Sequence, residues 1–364
     1  MRIAYVTVHV APEIMQGGVG KKIKSQTGIW REHGHEVSIF SLTPSEIPFP
    51  GEYQFIFDAR VNLIKREINR SSALKQMLAG IAQYKPDIIY LRYGLYSFPL
   101  HRIFRIAPVV LETNSNDKVE YASRGKFFYW MNRLTRNLTF ASVSGIIPPT
   151  HELTRAFPAR YNKPYIVVSN GIDISSAELL PPTKNTIPVI TMVASPGMDW
   201  HGVDKLLCFA EKCPDILINV VGYSPADVQV NIPSNARLHG FLNRVQLREI
   251  YLTTDVACGT LALHRNNMEE ACTLKVREAL ALGVPLILAY HDTDLSEVRL
   301  DTILQIPNNE DNVSENYERI RKFAYDMLGR RVDVEKVYPY LDQQKKEQSR
   351  LTFFQKILDD SIKS

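Results

Sequence analysis

The chain has 364 residues, too many for one ordinary domain and about right for two of roughly 180 each. Hydrophobic residues make up 45% and charged residues 23%, which excludes wholesale disorder, and a formal net charge of +4 is too small for a dedicated nucleic-acid binder. That total conceals an asymmetry: residues 1–170 carry 22 Lys and Arg against 12 Asp and Glu (net +10), and residues 171–364 carry 21 against 27 (net −6).

In chain order, the β-branched apolar run over 3–10 reads as a parallel strand buried on both faces. It lacks the apolar stretch and cleavage site of a secretory leader, and no apolar run approaches the ~20 residues that span a bilayer. A cytoplasmic location is expected. The glycine-rich Gly17-Gly18-Val19-Gly20 follows, then a helix with Ile23, Thr27 and Trp30 at i, i+4, i+7, ended by Gly34. Further strands are expected at 37–42, 87–91, 109–112, 145–147 and 165–169. Over 174–188 the periodicity fades into a Pro-rich linker. Strands resume at 189–194, 216–221, 255–259 and 284–289. A helix over 243–251 opens with a capping-box pair, Asn243 and Gln246, and another over 274–282 is closed by Gly283. A charged amphipathic helix runs from Asp342 to the end, with Leu351, Phe354, Ile357 and Leu358 on one face. Two doubly wound α/β domains, residues 1–173 and 174–342, account for this alternation. Four scattered cysteines (Cys208, Cys213, Cys258, Cys272) show no metal-ligand spacing and read as thiols of a reducing compartment.

The glycine loop sits where a helix N-terminus favours an anion, though a tight turn is the simpler reading. Its spacing is not that of a dinucleotide fingerprint, and the second strand ends Ser41-Leu42-Thr43 without the expected carboxylate. No P-loop is present. The densest motif is Glu269 to Pro285. Thr273 is placed as an N-cap, so the amides of Leu274 and Lys275, with the Lys275 ammonium, would face the ligand-binding edge of a parallel sheet and suit a diphosphate. Glu278 lies one turn on, among apolar neighbours, and needs a partner: ribose hydroxyls, or simply Lys275 or a nearby arginine. Glu270 stands eight residues earlier, within reach of a sugar beyond the diphosphate.

Glu270-x7-Glu278 followed by Ala-Leu-Ala-Leu-Gly-Val-Pro resembles the signature of retaining GT-B-fold glycosyltransferases of the family 4-like group. Other pieces keep that family's order: Gly17-Gly18, Tyr90-Leu-Arg-Tyr-Gly94, Leu111-Glu-Thr-Asn-Ser115, Ser169-Asn-Gly-Ile-Asp173, Trp200-His-Gly-Val-Asp-Lys205 and Gly240-Phe-Leu-Asn-Arg244. The resemblance implies an α/β GT-B architecture: two Rossmann-like domains face each other across a cleft, and the terminal helix, 343–364, crosses back to the first. It implies a nucleoside-diphosphate sugar (UDP- or GDP-linked) in the second domain and a glycan acceptor, lipid-linked, in the first. Glu278 would bind ribose hydroxyls and Glu270 those of the transferred sugar. The amides of Thr273 and Leu274 would hold the diphosphate, approached by Gly18. Neither metal nor cofactor is expected, transfer would retain anomeric configuration, and bacterial surface polysaccharide assembly is the implied setting.

One departure stands out. Where the family places an Arg and a Lys as a clamp on the diphosphate, this chain has Ser195 and His201. Lys275, Arg265 or Lys205 would have to substitute, with Lys275 the first choice. Otherwise the chain is a non-catalytic GT-B-fold subunit that binds a glycan or a partner. Asn114 stands where relatives place an active-site histidine, as either a catalytic or a loop-capping amide. His9, near the end of the first strand, is a candidate acceptor contact or a loop histidine. Lys21, Lys22 and Lys24 read as a solvated first turn. Arg124 to Arg136 mixes bases with aromatics at helical spacing. It is either a domain helix with Phe127, Trp130, Met131 and Leu134 in the core, or an interfacial helix meeting anionic lipid on the cytoplasmic face of the inner membrane.

Overall fold

The computed structural model describes residues 1–8, 18–46, 53–296 and 298–363; His9 and Gly17 lie outside them. Two compact units emerge, one of Met1–Val168 with Gln344–Ser364 and one of Ser169–Gln343.

The first unit contains β1 (Arg2–Val8), α1 (Gly18–Glu32), β2 (Glu36–Thr43), β3 (Tyr53–Ile56), α2 (Leu63–Tyr84), β4 (Ile88–Arg92), β5 (Val109–Glu112), α3 (Asp117–Ser123), α4 (Lys126–Ser142) and β6 (Gly145–Ile147). Its strands form one parallel sheet in the order β3-β2-β1-β4-β5-β6. The chain winds outward in both directions from β1 and β4, the doubly wound pattern. Apolar, β-branched β1 is central because it can be covered on both faces: Ile3, Ala4, Tyr5 and Val6 are fully buried. Ile23, Thr27 and Trp30 of α1 are buried as their spacing requires, and Gly34 takes the left-handed conformation that ends the helix.

The second unit contains β7 (Val189–Val193), α5 (Val203–Lys212), β8 (Leu217–Val221), β9 (Ala236–Leu238), α6 (Arg244–Leu252), β10 (Val256–Cys258), β11 (Glu270–Ala271), α7 (Leu274–Ala281), β12 (Leu286–Leu288), β13 (His291–Asp292), β14 (Ile303–Gln305) and α8 (Tyr317–Asp326). A second parallel sheet runs β14-β12-β10-β7-β8-β9, with β11 and β13 paired apart from it. The Asn243–Gln246 capping box forms in full at the start of α6. The last helix, α9 (Gln343–Lys363), packs Leu351, Phe353, Phe354 and Ile357 with Tyr5, Trp30 and Tyr90 of the first unit. Trp30 Nε1 donates to Glu347 at 2.9 Å. A side chain at Gly145 would meet the Phe353 ring at 2.9 Å, so the helix approaches β6 only because that residue is glycine. Among the described residues no helix is long and apolar enough to cross a membrane.

Four expectations change. Residues 165–169 contribute one isolated bridge, Tyr165 to Ile146, rather than a strand. Residues 169–173 belong to the second unit: Ile172 exchanges backbone hydrogen bonds with Leu341 and Gln343, and Gly171 lies so close to Gln343 that a Cβ would approach its Cα to 2.7 Å. The 174–188 segment is irregular but anchored, with Leu180 buried and hydrogen-bonded to Leu282, and with Asn185 and Thr183 on the buried Asp255. Finally, α4 is turned opposite to the core-helix reading. Phe127, Trp130 and Leu134 are 68%, 55% and 74% exposed, while Asn132, Arg136 and Thr139 are buried. The inward face is occupied by polar chemistry. Arg136 grips Asp117 through Nε at 2.7 Å and a terminal nitrogen at 2.9 Å, Asn132 donates to the same carboxylate, and Tyr93 donates to Asn132.

Candidate active site

In the second sheet the strand order reverses between β7 and β10, so the loops after these strands open the crevice where such folds bind ligands. The two loops are joined there by backbone bonds from Leu261 to His201 and from Ala262 to Trp200. Gly202 makes this approach possible: its φ is +74°, and a Cβ would meet that of Leu261 at 2.9 Å. Ser195 and His201 both lie on the loop after β7. The Ser195 amide donates to His201 Nδ1 at 3.1 Å, which leaves the proton of a neutral ring on Nε2.

Lys275, at the start of α7, reaches this pair. Its Nζ lies 3.4 Å from Ser195 Oγ and 3.4 Å from His201 Nε2. Burial and the neighbouring Lys275 push His201 down to about 3, so the ring is neutral and offers the ammonium no lone pair. Burial lowers Lys275 to about 8, and among the described residues no carboxylate forms an ion pair with it. A cation thus stands uncompensated beside the unsatisfied amides of a helix N-terminus, an arrangement that accepts an anion. Thr273 is the N-cap by position, but its hydroxyl faces Tyr290 at 3.4 Å and makes no capping bond, contrary to the capping expectation. The first-turn amides, including that of Leu274, are therefore not occupied by Thr273.

The other two candidate cations are committed elsewhere. Arg265 is bidentate to Asp204 at 2.9 and 2.8 Å and also binds Glu310, while Lys205 donates to Asn309 O at 2.7 Å and to Asn312 at 3.1 Å. Both are spent on holding α5 to neighbouring loops. Of the three, Lys275 alone meets Ser195 and His201. Glu270 lies not in a loop but on β11, paired with His291, and Glu278 is partly buried on α7. Burial and the Glu278 carboxylate push the Tyr251 phenol up, which puts the two side chains in one electrostatic neighbourhood.

The residue that holds this motif in place was not anticipated. Arg277, fully buried on the opposite face of α7, pairs with Asp292 at 2.7 and 2.8 Å, with Asp294 at 2.7 Å and with the Asn170 carbonyl at 3.1 Å. Asn170 in turn donates to Cys272 O at 2.8 Å, and Ser169 donates to Asp294. The Ser169-Asn170 pair is thus a strut for the segment carrying Glu270 and Thr273. The two aspartates at 292 and 294 beside a helix arginine were the available signal.

In the first unit, Gly18 is already the first residue of α1, so Gly18 and Gly20 form a helical turn rather than a loop. Asn114 follows β5 and accepts from Lys22 Nζ at 3.3 Å. Lys22 is not solvated as expected: it lies 2.8 Å from Glu112, which also binds Arg92 and the Tyr5 hydroxyl, each at 3.0 Å. Burial would raise the Glu112 carboxyl, but Lys22 and Arg92 more than offset it and hold it far below the usual range. Among the described residues no cluster of three or more His, Cys, Asp or Glu is placed to hold a metal ion.

Comparison with known proteins agrees with this fold. Residues 16–176 match the family model of Glycosyltransferase Family 4. Over 99% of both chains the fold matches sucrose-phosphate synthase from Thermosynechococcus elongatus, at 13% identity and a TM-score of 0.67. It also matches the lipopolysaccharide outer core galactosyltransferase WaaB (11% identity, 98% of this chain and 100% of that, TM-score 0.70) and Anabaena HepE in complex with UDP (13%, 98% and 100%, 0.64). No curated protein sequence matches the chain.

Proposed function

We propose that this chain, whose residues 16–176 match the Glycosyltransferase Family 4 model and whose fold is of GT-B type, moves a hexose from a nucleoside-diphosphate sugar to a lipid-linked glycan, with retention and without a metal ion. The observation that carries the reading is Lys275, a cation with no ion-pair partner among the described residues, at the N-terminus of α7 against Ser195 and His201. UDP in HepE and UDP-glucose in a further structural neighbour favour a uridine donor over a guanosine one.

In this reading the diphosphate lies on the α7 amides and Lys275. As the bond from the anomeric carbon to the β-phosphate oxygen breaks, its electron pair passes to the diphosphate, and Lys275 stabilises that charge in place of a two-cation clamp. The acceptor hydroxyl attacks from the face the diphosphate leaves, giving retention, and its proton passes to the departing diphosphate. Glu270 orients the transferred sugar and Glu278 the ribose. Bacterial surface polysaccharide assembly is the setting we infer, from the family resemblance and the lipopolysaccharide enzyme among the neighbours.

Thermal-shift measurements with UDP and GDP test the donor site, with UDP giving the larger shift. Glu270→Ala and Glu278→Ala should each reduce transfer at least about a hundredfold with the melting temperature preserved. Wild-type rates in both variants sink the assignment. The presence of a serine and a neutral histidine where cations are usual favours a second reading, a non-catalytic subunit; UDP binding without donor turnover in an acceptor panel would select it.

A further inference from the structure

The exposed face of α4 belongs to none of the chemistry above. Phe127, Trp130, Leu134 and Leu138 recur at i, i+3, i+7, i+11, so they form one stripe along the helix, and each is more than half exposed. The helix is amphipathic in reverse, its polar residues Asn132 and Arg136 satisfied inside by Asp117 and its apolar stripe left in water. The Arg136–Asp117 grip fixes this orientation, because rolling the stripe inward would strand a buried ion pair. Beside the stripe stand Lys126 and Arg133, both exposed; the Arg133 guanidinium lies 5.6 Å from the centre of the Trp130 ring.

We infer that α4 is a docking helix for an anionic lipid bilayer surface, lying in the interface with its aromatic and leucine stripe inserted and its cations on the headgroups. Three observations choose a bilayer over a protein groove. The inserted residues include Trp and Phe, suited to the boundary between headgroup and acyl chain. The flanking charges are basic, complementary to an anionic surface. The excess of positive charge is general to the region, +10 over residues 1–170, so long-range attraction and local insertion act together. Arg136, counted among the basic residues of the sequence motif, takes no part, since Asp117 holds it inside.

The inference is independent of the transferase reading, because the test needs no turnover. The full-length protein is sedimented with phosphatidylcholine vesicles, with and without phosphatidylglycerol, at low and high salt. Binding is expected only with the anionic lipid and weakens as salt rises. Phe127→Ser/Leu134→Ser/Leu138→Ser should lower the partition coefficient at least about tenfold, and Lys126→Gln and Arg133→Gln about fivefold each. All these side chains are exposed, so circular dichroism and melting temperature should not change. Trp130 supplies an internal probe, since Trp30 is buried and Trp200 partly so. Its emission should shift to the blue on anionic vesicles, and the shift should vanish in Trp130→Phe, which retains binding. Failure to sediment with anionic vesicles overturns the inference, as does wild-type binding by the triple serine variant. Self-association abolished by that variant, without vesicle binding, would assign the face to a second copy of this chain and overturn it too.

Discussion

Two lysines near the starts of their helices, Lys22 on the second turn of α1 and Lys275 on the first turn of α7, have opposite circumstances. Lys22 in the first unit sits 2.8 Å from the buried Glu112, which Arg92 and Tyr5 also bind, so both cations there face a carboxylate. Lys275 in the second unit faces a serine hydroxyl and a neutral histidine. The first arrangement is complete and serves stability. The second has no carboxylate partner among the described residues, as the proposed binding of a diphosphate requires. Charge balance, rather than residue type, separates a structural cation from a binding one.

The largest effect that sharpens this contrast is on the strut beneath Lys275. Arg277→Met should destabilise the fold by about 3–5 kcal/mol in urea unfolding, because it leaves the buried Asp292 and the partly buried Asp294 without their cation. A loss within experimental error would mean that the motif is held some other way. Next comes the exchange of roles between the lysines. Lys275→Met should cost transfer about 10²–10³-fold while leaving unfolding free energy unchanged or slightly higher. Lys22→Met should instead lose about 3 kcal/mol of stability by stranding part of the Glu112 charge. The comparison breaks if Lys275→Met unfolds the protein or if Lys22→Met is neutral.

The smallest effect is on pH. With Lys275 lowered to about 8 from 10.5, the folded protein releases this proton in a window where the unfolded chain keeps it. Between those values the unfolded state binds more protons, so the group's contribution to stability rises with pH. Diphosphate binding restores the proton, so UDP affinity should fall as pH rises above 8, by at most about tenfold per unit. Lys275→Met should flatten that profile in calorimetric titrations; a wild-type profile already flat from pH 7 to about 9.5 would remove the proton linkage.

Much of this molecule is written locally. The central strands are legible because parallel strands covered on both faces are mainly apolar, as Ile3, Ala4, Tyr5 and Val6 of β1 and Val109, Val110 and Leu111 of β5 are. The Asn243–Gln246 cap is legible because its two hydrogen bonds close within four residues. The Glu270–Glu278 spacing and the helix start at Leu274 are equally short-range. By itself the sequence determined the two doubly wound units and the acidic motif. The tertiary structure decided what each charge meets. Ser195 and His201 are 80 and 74 residues from Lys275, and only the meeting of the β7 and β10 loops brings them together. Arg265 and Lys205 were eliminated by carboxylate and carbonyl partners that no spacing reveals. On α4 a helical period defines a stripe but not which way it faces. That was decided by Asp117, fifteen and nineteen residues before the partners it binds, because a satisfied buried ion pair outweighs the gain from turning the aromatics inward.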